Sequence, residues 1–235
     1  VTSAQDVRAA LAESADADDA VFLQRFFKTG PGEYGEGDVF IGVRVPATRA
    51  VVKRFRGLDP GEIELLLDDP VHEHRLAGVL LLVAAYPRDP EAVYVAYLAA
   101  VARGRVNNWD LVDASSEHIV GPHVRLGRAP ASVLDELAAS PDLWERRVAV
   151  LATFDFIKHG DAEPALRLAA TLLDDRHDLI QKATGWMLRE AGKRVSREAL
   201  LGFLDAHAAA MPRTMLSYAT EHLDPELRAH YRAMR

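Results

Sequence analysis

Residues 182–190 read KATGWMLRE, and helices of the same pattern recur as RLAGVLLLV (75–83), WDLVDASSE (109–117), RVAVLATFD (147–155) and RTMLSYATE (213–221). Their starts, at 75, 109, 147, 182 and 213, are 34, 38, 35 and 31 residues apart. A near-constant period of this length, with helical patterning inside each unit, predicts an all-α, stacked helical-repeat solenoid. The first and fifth residues of a unit lie on one helical face. That face collects Arg75, Trp109 with Asp113, Arg147, Lys182 with Trp186, and Arg213. Burying four cations in an apolar core would be prohibitive, so the face is expected to be lined by solvent.

Outward from these units, the 235 residues are read as a single domain spanning 1–235, since no interdomain linker is visible. Ser3 with Asp6 marks a first helix start. A second helix is expected from about Asp18 to Lys28, burying Val21, Phe22 and Phe26. Thr29 to Pro46, TGPGEYGEGDVFIGVRVP, reads as a long structured loop with a helix resuming at Pro46. Gly30, Gly32 and Gly35 satisfy GxGxxG, but no strand precedes them and no helix follows directly, so no phosphate cradle is expected. From Pro60 onward helix follows helix, roughly a dozen in all, as in the Leu76, Val79, Leu80, Val83 stripe.

The net charge of −7 argues against a generic nucleic-acid binder. The charge is uneven, however: residues 182–235 hold nine Lys/Arg against six Asp/Glu, whereas residues 1–181 hold 19 against 29. One cationic region on an acidic body is the expectation. No apolar run approaches a membrane span and no secretory signal opens the chain. The chain has no cysteine, which excludes disulfides and thiolate chemistry and fits a reducing cytosol. His72-Glu73-His74, and His118 with His123, do not match a zinc site, so neither metal nor cofactor is expected.

Helices in a stack lie about 8–10 Å apart, so the shared face would present one cation per repeat along a concave surface. Duplex DNA offers phosphates to such a row. Two indoles and one carboxylate among the cations suit a positively charged group carried by an anionic polymer. DNA bearing a purine alkylated at N3 or N7 has that charge.

Asn107–Asp113 (NNWDLVD), Leu143–Phe154 (LWERRVAVLATF), Ile180–Arg194 (IQKATGWMLREAGKR) and Gly42–Arg49 (GVRVPATR) resemble the HEAT-like-repeat DNA glycosylases of the AlkD type, in the DNA alkylation repair enzyme family. The resemblance runs over nearly the whole chain. It implies a right-handed superhelix of HEAT-like repeats with a concave DNA-binding face. It also implies that Trp109 and Trp186 hold the deoxyribose of the lesion, and that Asp113 is the catalytic carboxylate. Arg147 would bind backbone phosphate and Arg44 would approach the duplex near the lesion. Arg75, Lys182, Arg189, Lys193, Arg194 and Arg213 complete the expected DNA-binding set. The sequence departs from the best-known members in its GPGEYGEGD loop and in the asparagine before Trp109.

The implied reaction is hydrolysis of the N-glycosidic bond of a cationic N3- or N7-alkylpurine (3-methyladenine, 7-methylguanine or a bulkier, antibiotic-derived adduct) without base flipping. A cationic base is already an activated leaving group, so one carboxylate suffices without a general acid. Asp113 would stabilise the oxocarbenium-like sugar and orient the water, as a monofunctional enzyme. A monomeric, cytoplasmic protein bound to the nucleoid through duplex DNA, acting in base excision repair or self-resistance, follows. The alternatives are a noncatalytic paralogue that binds distorted or branched DNA, and a helical-repeat scaffold for another protein.

Overall fold

The structure, a computed structural model, describes residues 2–234. Among these residues it is all-α, with fifteen helices, no strand and an isolated parallel bridge between Val39 and Val71. The chain divides into two compact units, one ending at Ser115 and the other starting at Ser116.

The first unit holds α1 (Ala4–Ala12), α2 (Ala17–Phe26), α3 (Val45–Arg54), α4 (Pro60–Leu67), α5 (His72–Ala85), α6 (Pro90–Ala102) and α7 (Trp109–Asp113). α1 starts on the expected signal. The Asp6 N–H donates to Ser3 Oγ at 3.3 Å while the Ser3 N–H donates to the Asp6 carboxylate at 2.8 Å, a reciprocal cap whose loss costs about 1 kcal/mol. α5 organises the unit: it packs against α1, α3, α4, α6 and α7 and is buried from His72 through Leu82. Gly78 permits the α4–α5 approach, because a Cβ there would stand 2.9 Å from Leu67 Cδ2. The second helix departs from its expected packing. Val21, Phe22 and Phe26 are 57%, 45% and 52% exposed, and Leu23 and Phe27 are buried instead. The apolar residues of α2 thus point two ways, and the outer set awaits no core.

The second unit holds α8 (Ser116–Arg125), α9 (Ser132–Ala138), α10 (Leu143–Lys158), α11 (Glu163–Thr171), α12 (Asp178–Arg194), α13 (Arg197–His207), α14 (Arg213–Ala219) and α15 (Pro225–Ala233). α10 packs against α8, α9, α11 and α12, and α12 against α10, α11, α13 and α14. The repeats at 147–155 and 182–190 therefore supply the two central helices. Glycines set their spacing: a Cβ on Gly121 would lie 2.7 Å from the Ala152 carbonyl, and one on Gly185 2.5 Å from the Met215 carbonyl. The stretch 109–117 is not one helix as its pattern predicts. α7 ends at Asp113, and Ala114 and Ser115 turn before α8 begins. Ser115 Oγ reaches the Leu111 carbonyl at 2.6 Å, a local hydrogen bond that favours termination of so short a helix.

Candidate functional site

In the first unit, α7 carries Trp109 at its first position and Asp113 at its last, four apart and so on one face. Trp109 is half-buried. Its indole stacks on Phe27 with centroids 5.0 Å apart and planes at 17°, and it meets Phe26 edge-on at 5.9 Å. Such aromatic pairs contribute about 0.5–1.5 kcal/mol each beyond the area they cover. Asp113 is also half-buried. Its charge reinforces burial in raising the pKa of the Tyr97 phenol, which lies 2.9 Å from Ser115 Oγ.

Trp109 lines a cavity of 420 Å³ with Phe22, Phe26, Phe27, Phe40, His72 and Asp110. Arg44 stands on the same cavity: its guanidinium lies 5.0 Å from the Phe22 ring, and it pairs through Nε and Nη2 with both carboxylate oxygens of Asp19. The exposed phenylalanines of α2 thus become a wall beside Trp109. Arg44 is exposed.

Arg75 overturns the expectation of a solvent-lined face. It is 2% exposed, and its Nη2 donates to Asp38 at 2.6 Å and to Asn107 Oδ1 at 3.1 Å. Its Nη1 donates to the carbonyls of Asp69 and Pro70, both at 3.0 Å. Its Nε has no acceptor, but it is buried with the rest of the guanidinium, so the group is closed to a phosphate. Arg147, 5% exposed, departs in the same way. Its Nη1 donates to the Leu179 carbonyl at 2.6 Å, tying α10 to the start of α12. The inference from burial cost fails at both positions because acceptors built into the fold replace water around the cation.

The other expected cations of the second unit lie at the surface. Lys182, Trp186, Arg189 and Lys193 follow the i, i+4, i+7, i+11 spacing of one face of α12, and none is buried. The opposite face buries Ile180, Ala183, Thr184, Met187, Leu188 and Ala191. Lys182 pairs with Asp178 at 2.6 Å, and Arg189 pairs with Glu221 and with Glu190. Arg194 donates to Glu190 at 2.6 Å. Burial pushes the Glu190 carboxyl up, but its hydrogen bonds and charge pairing with Arg194 and Arg189 prevail, leaving its pKa below the usual carboxylate range. Trp186 packs on Phe154 with centroids 5.7 Å apart. Lys158 Nζ lies 4.6 Å and Arg194 Cζ 5.4 Å from the same Phe154 ring. Arg213 is exposed and donates to the Arg232 carbonyl at 2.8 Å.

A family model described as DNA alkylation repair enzyme matches residues 7–223. The chain belongs to the DNA alkylation repair enzyme family. Among solved structures it is similar to a predicted DNA alkylation repair enzyme from Enterococcus faecalis, with a TM-score of 0.73 and 18% identity over 90% of this chain and 98% of that one. At that identity the likeness establishes the helical-repeat fold. None of the curated proteins compared with the chain matches it.

Membership of the DNA alkylation repair enzyme family supports an enzymatic role in repair and an interaction with DNA. Among the described residues no helix is long and apolar enough to cross a membrane, and no three His, Asp or Glu residues are grouped so as to hold a metal ion. Two contributions escaped the sequence reading. Lys158 joins the cations around the Phe154–Trp186 pair, a neighbourhood set by the packing of α10 on α12. The segment HEHR (72–75) becomes the polar anchor of the first unit. Four consecutive ionisable residues opening an otherwise apolar helix were the signal available for it.

Proposed function

We propose that this chain is a monofunctional alkylpurine DNA glycosylase that hydrolyses the N-glycosidic bond of cationic N3- or N7-alkylpurines in duplex DNA and leaves an abasic site. The observation that carries the reading is the half-buried Asp113 carboxylate on the same short helix face as the Trp109 indole, in a chain of this repair family. In this reading Asp113 faces the C1′ cation that develops as the bond breaks and orients the attacking water. A carboxylate removed from bulk water stabilises such charge far better than an exposed one. Trp109 and Trp186 hold the deoxyribose and exclude competing water. The positive charge on the base makes it a leaving group without a general acid.

The unburied cations fit the phosphate contacts: exposed Arg44 in the first unit, and in the second exposed Lys193, Arg194 and Arg213 with half-buried Lys182 and Arg189. Lys158 is added to this set, while Arg75 and Arg147 serve the scaffold. The partner is duplex DNA bound by a monomer in the cytoplasm, without metal or cofactor and without flipping the base. The cavity beside Trp109 supports an adduct larger than methyl, because 420 Å³ of aromatic-walled space far exceeds what a methyl group fills.

Asp113→Asn tests the assignment. It is expected to abolish release of 7-methylguanine and of a bulky N3-adenine adduct while duplex affinity stays within about threefold, and undiminished release would refute the role given to Asp113. Tight, salt-sensitive duplex binding by the unaltered chain without release of any alkylated base would instead establish a noncatalytic DNA-binding paralogue.

A further inference from the structure

The four residues that open α5, His72 to Arg75, are buried, yet the proposed sugar chemistry uses none of them. Both ring nitrogens of His72 face carboxylates. Nδ1 lies 3.1 Å from Asp38 Oδ2 and Nε2 lies 2.8 Å from Asp110 Oδ2. A carboxylate only accepts hydrogen bonds, so two carboxylate partners require a proton on each nitrogen, and His72 is an imidazolium. Asp38 also accepts from Arg75 at 2.6 Å. The result is a buried chain, Arg75–Asp38–His72–Asp110, in which two positive and two negative groups alternate and balance. Asp38 comes from the glycine-rich loop, His72 and Arg75 from α5, and Asp110 from α7. Glu73 is the next charged group on α5, and Arg44 lines the same cavity.

This chain closes around Trp109. The residues before and after it in sequence are all tied to the network. Asn107 Oδ1 accepts from Arg75, Asn108 Nδ2 lies 3.4 Å from Asp38 while Asn108 Oδ1 accepts the Trp109 N–H at 2.9 Å, and Asp110 accepts from His72. The ring beneath the indole is tied as well. The imidazolium packs against Phe27 at 5.0 Å and Phe40 at 4.4 Å, and Phe27 is the ring on which Trp109 stacks. A cation against aromatic faces adds attraction to that packing. Glu73 extends the same anchor by accepting the N–H groups of Ile41, Gly42 and Val43, which fixes the backbone leading into Arg44.

We propose that His72 and Asp110 are positioning residues for Trp109: the alternating-charge chain clamps both the backbone of α7 and the Phe27 ring, so that the indole is presented in one orientation. A five-residue helix cannot hold a large side chain by itself, since so short a segment is not stable without outside contacts. Catalysis that depends on placing a sugar against Asp113 tolerates errors well under about 1 Å. The inference rests on the glycosylase reading for its consequence in rate, though not for its consequence in structure.

The test uses the full chain with His72→Gln and Asp110→Ala. Single-turnover release of 7-methylguanine is expected to fall at least about tenfold while duplex affinity changes less than about threefold, a split that general destabilisation would not give. In a background with Trp144→Phe and Trp186→Phe, acrylamide quenching reports on Trp109, and its quenching constant is expected to rise at least about twofold as the indole loosens. Should His72→Gln fail to fold, Asp110→Ala decides, because it leaves the Arg75–Asp38–His72 portion intact. Quenching unchanged in every folded variant overturns the proposal. If the unaltered chain releases no base, the glycosylase reading fails alone, and the quenching measurement still decides the clamp.

Discussion

Arg75 in the first unit and Lys182 in the second hold the same position of the repeated helix, and they end in opposite environments. Arg75 is enclosed because the glycine-rich loop brings Asp38 onto it and the carbonyls of Asp69 and Pro70 complete its hydrogen bonds. Lys182 pairs with Asp178, one turn earlier on its own helix, and stays at the surface. The first unit encloses its cation in the network around Trp109, whereas α12 keeps Lys182, Arg189 and Lys193 unburied on the face that carries Trp186. A repeated basic residue is therefore not a repeated function. What decides is whether a neighbouring segment supplies a carboxylate and carbonyls in place of water.

The contrast can be broken most directly at Arg75. Arg75→Ala leaves Asp38 buried with one partner fewer and is expected to lower unfolding free energy by about 3–5 kcal/mol. Lys182→Ala is expected to change it by less than about 0.5 kcal/mol. Urea denaturation of the two variants measures both, and equal losses would erase the distinction drawn between the units.

Next in size is a pH effect confined to the first unit. Burial alone would lower the His72 pKa, but Asp110 and Asp38 outweigh it and raise it to about 9, against an unfolded value of 6.5. A raised pKa means that the folded state binds the proton more tightly. The stabilisation is fully present below 6.5 and is lost as pH rises through about 9, on the order of 3 kcal/mol. Urea midpoints from pH 6 to 10 are expected to fall across that window in the native sequence and to stay flatter in His72→Gln.

Packing in the second unit gives a smaller effect. The Cβ of Gly185→Ala would meet the Met215 carbonyl and Tyr218 Cβ, forcing α12 from α14 at about 1–3 kcal/mol. Thermal unfolding shows this, and an undisturbed melting temperature would mean that the contact relaxes freely. The smallest effect sharpens the comparison from the other side. Lys193→Ala should leave stability unchanged and reduce the slope of log affinity for duplex DNA against log salt by about 0.9, as expected for one phosphate contact.

The helices of both units were legible because apolar residues recur at helical spacing and the breaks carry their usual markers, as at Ser3 with Asp6. The face of α12 that carries Lys182 and Trp186 was legible for the same reason, since residues four apart share one face whatever packs behind them. Phe22 and Phe26 were misread as core because periodicity shows that a face is apolar without showing what covers it. The enclosure of Arg75 and Arg147 was not legible because Asp38, the carboxylate that pairs with Arg75, and the Leu179 carbonyl that accepts from Arg147 lie 37 and 32 residues away in the chain, beyond any local pattern.

By itself the sequence determined that this chain folds as repeated helices, that the first starts at Ser3 with Asp6, and that Trp109 shares a helical face with Asp113 and Trp186 with Lys182. Those properties follow from hydrogen bonding and side-chain spacing within a few turns. Only the tertiary structure decided which cations face solvent and that His72 is charged inside the first unit. It also decided that the glycine-rich loop closes on α5, with Asp38 accepting from Arg75 and the N–H groups of Ile41, Gly42 and Val43 donating to Glu73. A buried charge is tolerated or refused according to the groups around it, and folding brings those groups from distant parts of the chain.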